Sequence, residues 1–199
     1  MTRSVVFISH PDVAIDPEVP ITRWPLSGRG RQRMRQALAQ PWLASVSAIY
    51  SSSEQKALDG AQILARHLVL PITTIEALGE NDRSSTGYLP PAEFEHTAER
   101  FFGEPASSVR GWERACDAQS RIVMAVLGIV LSDRSDGRIA IVSHGAVGTL
   151  LYCHLTGRPI DRRWDQPANG GGNSFGFTLA PDSVDGWWRP IDGLSGGPA

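Results

Sequence analysis

Two histidines stand where an α/β chain can put chemistry. His10 comes directly after the run Val5-Val6-Phe7-Ile8-Ser9, and His144 comes after Ile139–Val142 in the stretch Ile-Val-Ser-His-Gly. Both runs read as strands, so each imidazole would sit just past a carboxyl end, where open α/β sheets bind ligands. One such histidine is more simply structural. Two of them, far apart in sequence, can converge in one crevice, and Gly145 frees the backbone beside the second. Imidazoles meeting across a gap the size of one tetrahedral anion would make an anion site.

The elements that must carry them can be read from hydrophobic pattern. Val5–Ile8 is β-branched and continuous, as in a strand covered on both faces, and Val46–Tyr50, Ile72–Ile75 and Ile139–Val142 repeat that pattern. Helical spacing fills the intervals. One helix opens at Ser27 and runs to about Ala39. A second is capped by Ser53 and carries Ala57, Ala61, Leu64 and Ala65, and a third starts at Pro90-Pro91. A long one covers Val109–Leu131, and the last runs from about Val147 to Leu155, stopping near Gly157. A strand over Ser174–Leu179 follows the glycines 170–172, and Trp187-Trp188 falls in a terminal strand. This alternation predicts an α/β fold, a three-layer α/β/α sandwich with a mostly parallel central sheet. One domain is expected over residues 1–199, with a cap or insert at about 80–108 and a flexible tail after about 190.

Composition narrows the function. The chain has 199 residues, 41% hydrophobic and 20% charged, which is enough for a substantial core. Its net charge of -2, from 19 basic and 21 acidic residues, offers no field to gather nucleic acid, so an anionic substrate must be held locally. No apolar stretch is read as reaching membrane-spanning length, and the run Val5–Ile8 is too short for a signal-peptide core. Cys116 and Cys153 lack CxxC spacing, which fits a reduced, cytoplasmic setting. His67, His96 and His154 read as helix surface or packing residues, and no metal site or cofactor is expected.

Four ordered blocks resemble the histidine phosphatase superfamily, also called phosphoglycerate mutase-like, over most of the chain. They are Phe7-Ile8-Ser9-His10-Pro11, Pro25-Leu26-Ser27-Gly28-Arg29-Gly30, Ile49 through Ala57 with its Ser-Ser-Ser-Glu-Gln-Lys-Ala, and Ile141-Val142-Ser143-His144-Gly145. Leu78-Gly79-Glu80 falls where the family places its acid. The resemblance implies phosphomonoester hydrolysis without metal. His10 would be the nucleophile that becomes phosphohistidine, His144 and Lys56 would hold the phosphoryl oxygens, and Glu80 would protonate the leaving group, with Asp82 as the competitor for that role. The implied partner is a small phosphorylated substrate or inorganic phosphate.

The departures are specific. Ser9 stands where the family has arginine, Pro11 where it has glycine, and Lys56 where arginine is usual, so the predicted site keeps its histidines and thins its cations, with the Ser9 hydroxyl and Gly145 still expected among the substrate-binding residues. Arg83, Arg23 and Arg29 are the candidates to restore charge, with Arg83 first because it follows Glu80 by three residues in a Ser- and Gly-rich loop. Asp16 is placed near the phosphate, where it would repel it unless paired. Aromatic residues between 82 and 102 are expected to pack the insert onto the sheet. Two readings remain: an active phosphatase, or a weakened family member that binds an anionic ligand or a protein partner without turnover.

Overall fold

The computed structural model describes residues 3–179 and 184–193. Five α-helices and six strands are present among them: β1 (Ser4–Ser9), α1 (Gly28–Gln36), β2 (Val46–Ser51), α2 (Gln55–Leu68), β3 (Ile72–Thr74), α3 (Pro91–Gly103), α4 (Ala115–Ser132), β4 (Arg138–Ser143), α5 (Gly145–Leu155), β5 (Asn173–Thr178) and β6 (Val184–Pro190). They form one sheet in the order β3-β2-β4-β1-β5-β6. The first four strands run parallel, and β5 and β6 are antiparallel additions.

The pleat sorts β1 into two cores. Val5 and Phe7 face α4 and α5, while Val6 and Ile8 face α1 and α2, which gives three layers. Phe7 is fully buried, stacked on Phe175 with centroids 5.5 Å apart and meeting Trp188 edge-on at 6.2 Å. Truncating such a side chain costs about 3–5 kcal/mol, so the packing beneath the strand ends contributes strongly to stability.

Register then decides where the histidines go. Val5 pairs with Ile139 and Ser9 with Ser143 across β1 and β4. His10 and His144 are each the next residue, and the His10 N–H donates to the Ser143 carbonyl at 3.0 Å. Neighbouring parallel strands thus deliver both imidazoles to one end of the sheet.

Four local expectations shift. β3 is a short, largely exposed edge strand ending at Thr74, because it pairs only with β2 and nothing covers it as a central strand is covered. The helix expected over Val109–Leu131 is broken: Val109–Gly111 is a 3-10 turn, Arg110 and Gly111 take left-handed φ of 53° and 81°, and α4 begins at Ala115. α4 itself is an 18-residue apolar helix that meets the length and composition of a membrane span. Here Ala118, Ile122, Val126 and Ile129 pack its stripe into the core. At α2 it is the Ser52 hydroxyl, rather than Ser53, that accepts from the Glu54 N–H at 3.2 Å.

The tail expected after about residue 190 begins packed. Ile191 is buried, its carbonyl accepts from Gln40 Nε2 at 2.8 Å, and Asp192 pairs with Arg33 at 2.7 Å. The rest of that tail, residues 194–199, lies outside the described residues. Between 80 and 108 lie an irregular loop and α3, in which Phe101 and Phe102 are buried against Trp112 and each other, a packing use of the aromatic residues.

Candidate active site

The two imidazoles stand edge to face, with centroids 5.1 Å apart and planes at 73°. His10 is fixed from below by the glycine run. The Gly172 N–H donates to the His10 carbonyl at 3.0 Å, and Gly171, at φ 74°, lies so close to that carbonyl that a Cβ there would collide with it. The His10 ring places Nδ1 2.9 Å from the Pro11 carbonyl, an acceptor only. Nδ1 must therefore carry the proton, and Nε2 keeps its lone pair. Desolvation in the crevice, together with the Lys56 charge, lowers the His10 pKa to about 4.

His144 is wholly buried. Its Nε2 lies 2.8 Å from the Ser52 hydroxyl and 3.4 Å from Glu54 Oε1. Nδ1 has no hydrogen-bond partner among the described residues. Burial pushes this pKa well below the usual imidazole range against the pull of Glu54, so without a ligand both rings are neutral at pH 7.

Lys56, buried on the first turn of α2, is not free. Its ammonium donates to Glu54 Oε2 and to the Ile21 carbonyl, the latter at 2.9 Å. Burial lowers the Lys56 pKa while Glu54 holds it up. For Glu54 burial alone would raise the pKa, but His144 and Lys56 outweigh it and hold the carboxyl at about 2. Glu54 Oε1 also accepts from the Glu80 N–H at 2.8 Å, which ties the acid loop to α2.

Glu80 sits across the first turn of α5. Its Oε1 accepts from the Val147 N–H at 3.1 Å and its Oε2 from the Ala146 N–H at 3.3 Å. Desolvation is the largest influence on it and, with the Glu54 charge, raises its pKa over the opposing pull of Arg83 and the two amides. Asp82 points elsewhere: it is exposed, accepts from the Ser84 N–H at 2.8 Å, and its pKa is lowered.

Arg83 makes no ion pair among the described residues, and its guanidinium stacks 5.3 Å from the Phe94 ring and 5.6 Å from that of Trp112. Its charge is felt by His10, Lys56, Glu80 and His144. Arg23 is exposed at the end of the turn Ile21–Arg23, and Arg29 is exposed and 3.5 Å from Asp12. Asp16 lies exposed in its own turn, accepting from the Glu18 N–H at 3.0 Å. Ser9 is fully buried, donating to Gln166 Oε1 at 2.5 Å and accepting from the Asn173 N–H at 3.0 Å. Gly145 starts α5, and a Cβ there would collide with Gln166 Nε2. His67, His96 and His154 lie exposed on helices, apart from the pair.

Four residues of this site carried no role in the sequence reading: Ser52, Glu54, Gln166 and Asn173. Glu54 had no helical-spacing signal, since residues two apart do not face each other on a helix; it reaches Lys56 because it precedes α2 in extended backbone. Gln166 had none, because its loop is Gly- and Pro-rich and its position depends on β5 pairing with β1. A cavity of about 960 Å3 is lined by Glu54, Glu80, Arg83, Ile21, Asp82 and Arg121 among others, and Glu54 links it to His144 at 3.4 Å. Neither imidazole lines it.

Comparison with known proteins bears on the fold and the family. Among solved structures, mycobacterial hydrolase 1 superposes with a TM-score of 0.77 at 19% identity, covering 94% of this chain and 99% of the other. A mycobacterial glucosyl-3-phosphoglycerate phosphatase solved with inorganic phosphate gives 0.75 at 20% identity, covering 96% and 99%. Bacillus stearothermophilus YhfR gives 0.72 at 25% identity, covering 94% and 95%. No curated protein sequence matches the chain. The sequence profile of the histidine phosphatase superfamily, branch 1, matches residues 20–178, and the chain belongs to that family.

Proposed function

We propose that this chain hydrolyses phosphomonoesters through a phosphohistidine on His10. The supporting observation is the imidazole pair, 5.1 Å between centroids, with His10 Nδ1 held by the Pro11 carbonyl so that Nε2 is the nucleophile. Nε2 attacks phosphorus and the ester P–O bond breaks. Glu80, whose raised pKa favours the acid form, gives its proton to the departing oxygen. The resulting carboxylate takes a proton from water as that water attacks phosphorus; the P–N bond breaks, inorganic phosphate leaves, and His10 and Glu80 are restored. A bound dianion reverses the electrostatics of His144, turning a disfavoured imidazolium into a favoured counter-charge. Arg83 makes no ion pair among the described residues and is the cation we assign to the phosphoryl oxygens.

The cavity supports one class of substrate. Its wall carries Glu76, Asp82 and Glu113, the last paired with Arg121 at 2.7 Å, so a leaving group with further anionic charge is disfavoured. A small phosphorylated molecule with an uncharged organic part fits best. The phosphate found with the glucosyl-3-phosphoglycerate phosphatase supports a phosphate subsite in this fold.

A specific observation favours a second reading. Lys56 is neutralised by Glu54 and Ser9 is fully engaged, so the site has fewer free cations than its chemistry calls for. A family member that binds an anion without turnover would look the same. Incubation with a generic aryl phosphate from acid to neutral pH, with chelator present, separates the two. The proposal expects release of phosphate that survives chelation and vanishes in His10→Ala; equal background in both proteins rejects it.

A further inference from the structure

Resting on the phosphatase reading, we infer that Gln166 is a phosphate-binding residue, its side-chain amide acting as the neutral donor at the place where Ser9 provides none. Two donors occupy its carbonyl: the Ser9 hydroxyl at 2.5 Å and Asn173 Nδ2 at 2.9 Å. With both lone pairs of Oε1 filled, the amide is held in one orientation, and Nε2 must face the other way. On that side it lies against Gly145, so tightly that a Cβ at 145 would collide with it, and it has no hydrogen-bond partner among the described residues. Ser9 precedes His10 and Gly145 follows His144, so this amide bridges the two segments that carry the imidazoles.

The backbone of Gln166 is anchored as well. Its N–H donates to Asp165 Oδ1 at 2.7 Å, and the same oxygen accepts from the Thr149 hydroxyl of α5 at 2.8 Å. The loop therefore rests on the helix that starts beside His144, and an amide donor pinned at both ends loses little freedom when an anion arrives. Two other polar side chains nearby are committed elsewhere, Ser9 to Gln166 itself and Lys56 to Glu54 and the Ile21 carbonyl, which leaves the Gln166 amide to act beside Arg83 and His144. Gly145 leaves open the space that Nε2 occupies, and a Cβ there would displace the amide.

Gln166→Glu retains both bonds accepted from Ser9 and Asn173 and removes the donor; Gln166→Met removes donor and acceptor alike. Inorganic phosphate binding, measured by calorimetry at pH 8 with thermal unfolding alongside, should weaken roughly tenfold to a hundredfold in both variants, as expected for one hydrogen bond to a charged group. kcat/KM for an aryl phosphate should fall in parallel while the midpoint of unfolding of Gln166→Glu stays close to that of the wild type. Phosphate affinity within twofold of wild type in a folded Gln166→Glu overturns the assignment. If His10→Ala abolishes turnover while both Gln166 variants bind phosphate normally, only the role of Gln166 falls; if the wild-type chain neither binds phosphate nor turns over, the phosphatase reading falls with it.

Discussion

Replacing His10 with asparagine should make the protein less sensitive to acid. The carboxamide can donate to the Pro11 carbonyl as Nδ1 does but does not titrate. In the wild type, the ordinary imidazole pKa of 6.5 applies to the unfolded chain and about 4 to the folded one. As pH falls through 6.5 the unfolded state takes up the proton and the folded state does not, so stability declines over the window from about 6.5 to about 4. Integrated from pH 7 to pH 4.5, this one group removes about 2 kcal/mol. His144 acts in the same direction and remains in both proteins. Urea unfolding at pH 7 and 4.5 measures the difference: the wild type should lose about 2 kcal/mol more than His10→Asn. Saturating phosphate should shrink the gap, since a bound anion favours the imidazolium. Equal acid losses in the two proteins would refute the claim that the crevice holds His10 neutral.

Glu80→Gln should lower turnover by roughly 10²–10⁴-fold with an alkyl phosphate and far less with an aryl ester whose leaving group needs no proton; wild-type rates should fall as pH rises through the raised Glu80 pKa, a limb absent from the variant's pH–rate profile. Lys56→Met leaves Glu54 buried without its cation and should cost about 3–5 kcal/mol in denaturant unfolding, with much of that returned in the double variant carrying Glu54→Gln. Gly148→Ala would put a Cβ 2.6 Å from both Phe7 and Trp188 beneath the site, and overpacking there should cost about 1–3 kcal/mol, read as a lowered Tm.

The parallel part of the sheet was legible because buried parallel strands are written as continuous β-branched runs, as Val5–Ile8 and Ile139–Val142 show. The same rule over-reached at Ile72–Thr74, where an edge strand carries the same residue types as a central one. The break at Arg110-Gly111 was invisible to apolar periodicity, which continues across it, although the glycine marked the place where a left-handed turn could form. At the site, the positions of His10 and His144 followed from strand ends alone. Their electrostatics did not. That Ser9 spends its hydroxyl on Gln166 is a pairing set by three-dimensional packing between segments 157 residues apart, whereas Lys56 spends its charge on Glu54, only two residues away. Sequence pattern records which groups are present, and packing decides which of them remain free for a ligand.

Rapid quenching of the enzyme with a radiolabelled phosphomonoester, followed by peptide mapping, addresses the chemistry at its centre. Acid-labile, base-stable label is expected on His10 and none in His10→Asn. Turnover with no label on His10, or label on another residue, would contradict it.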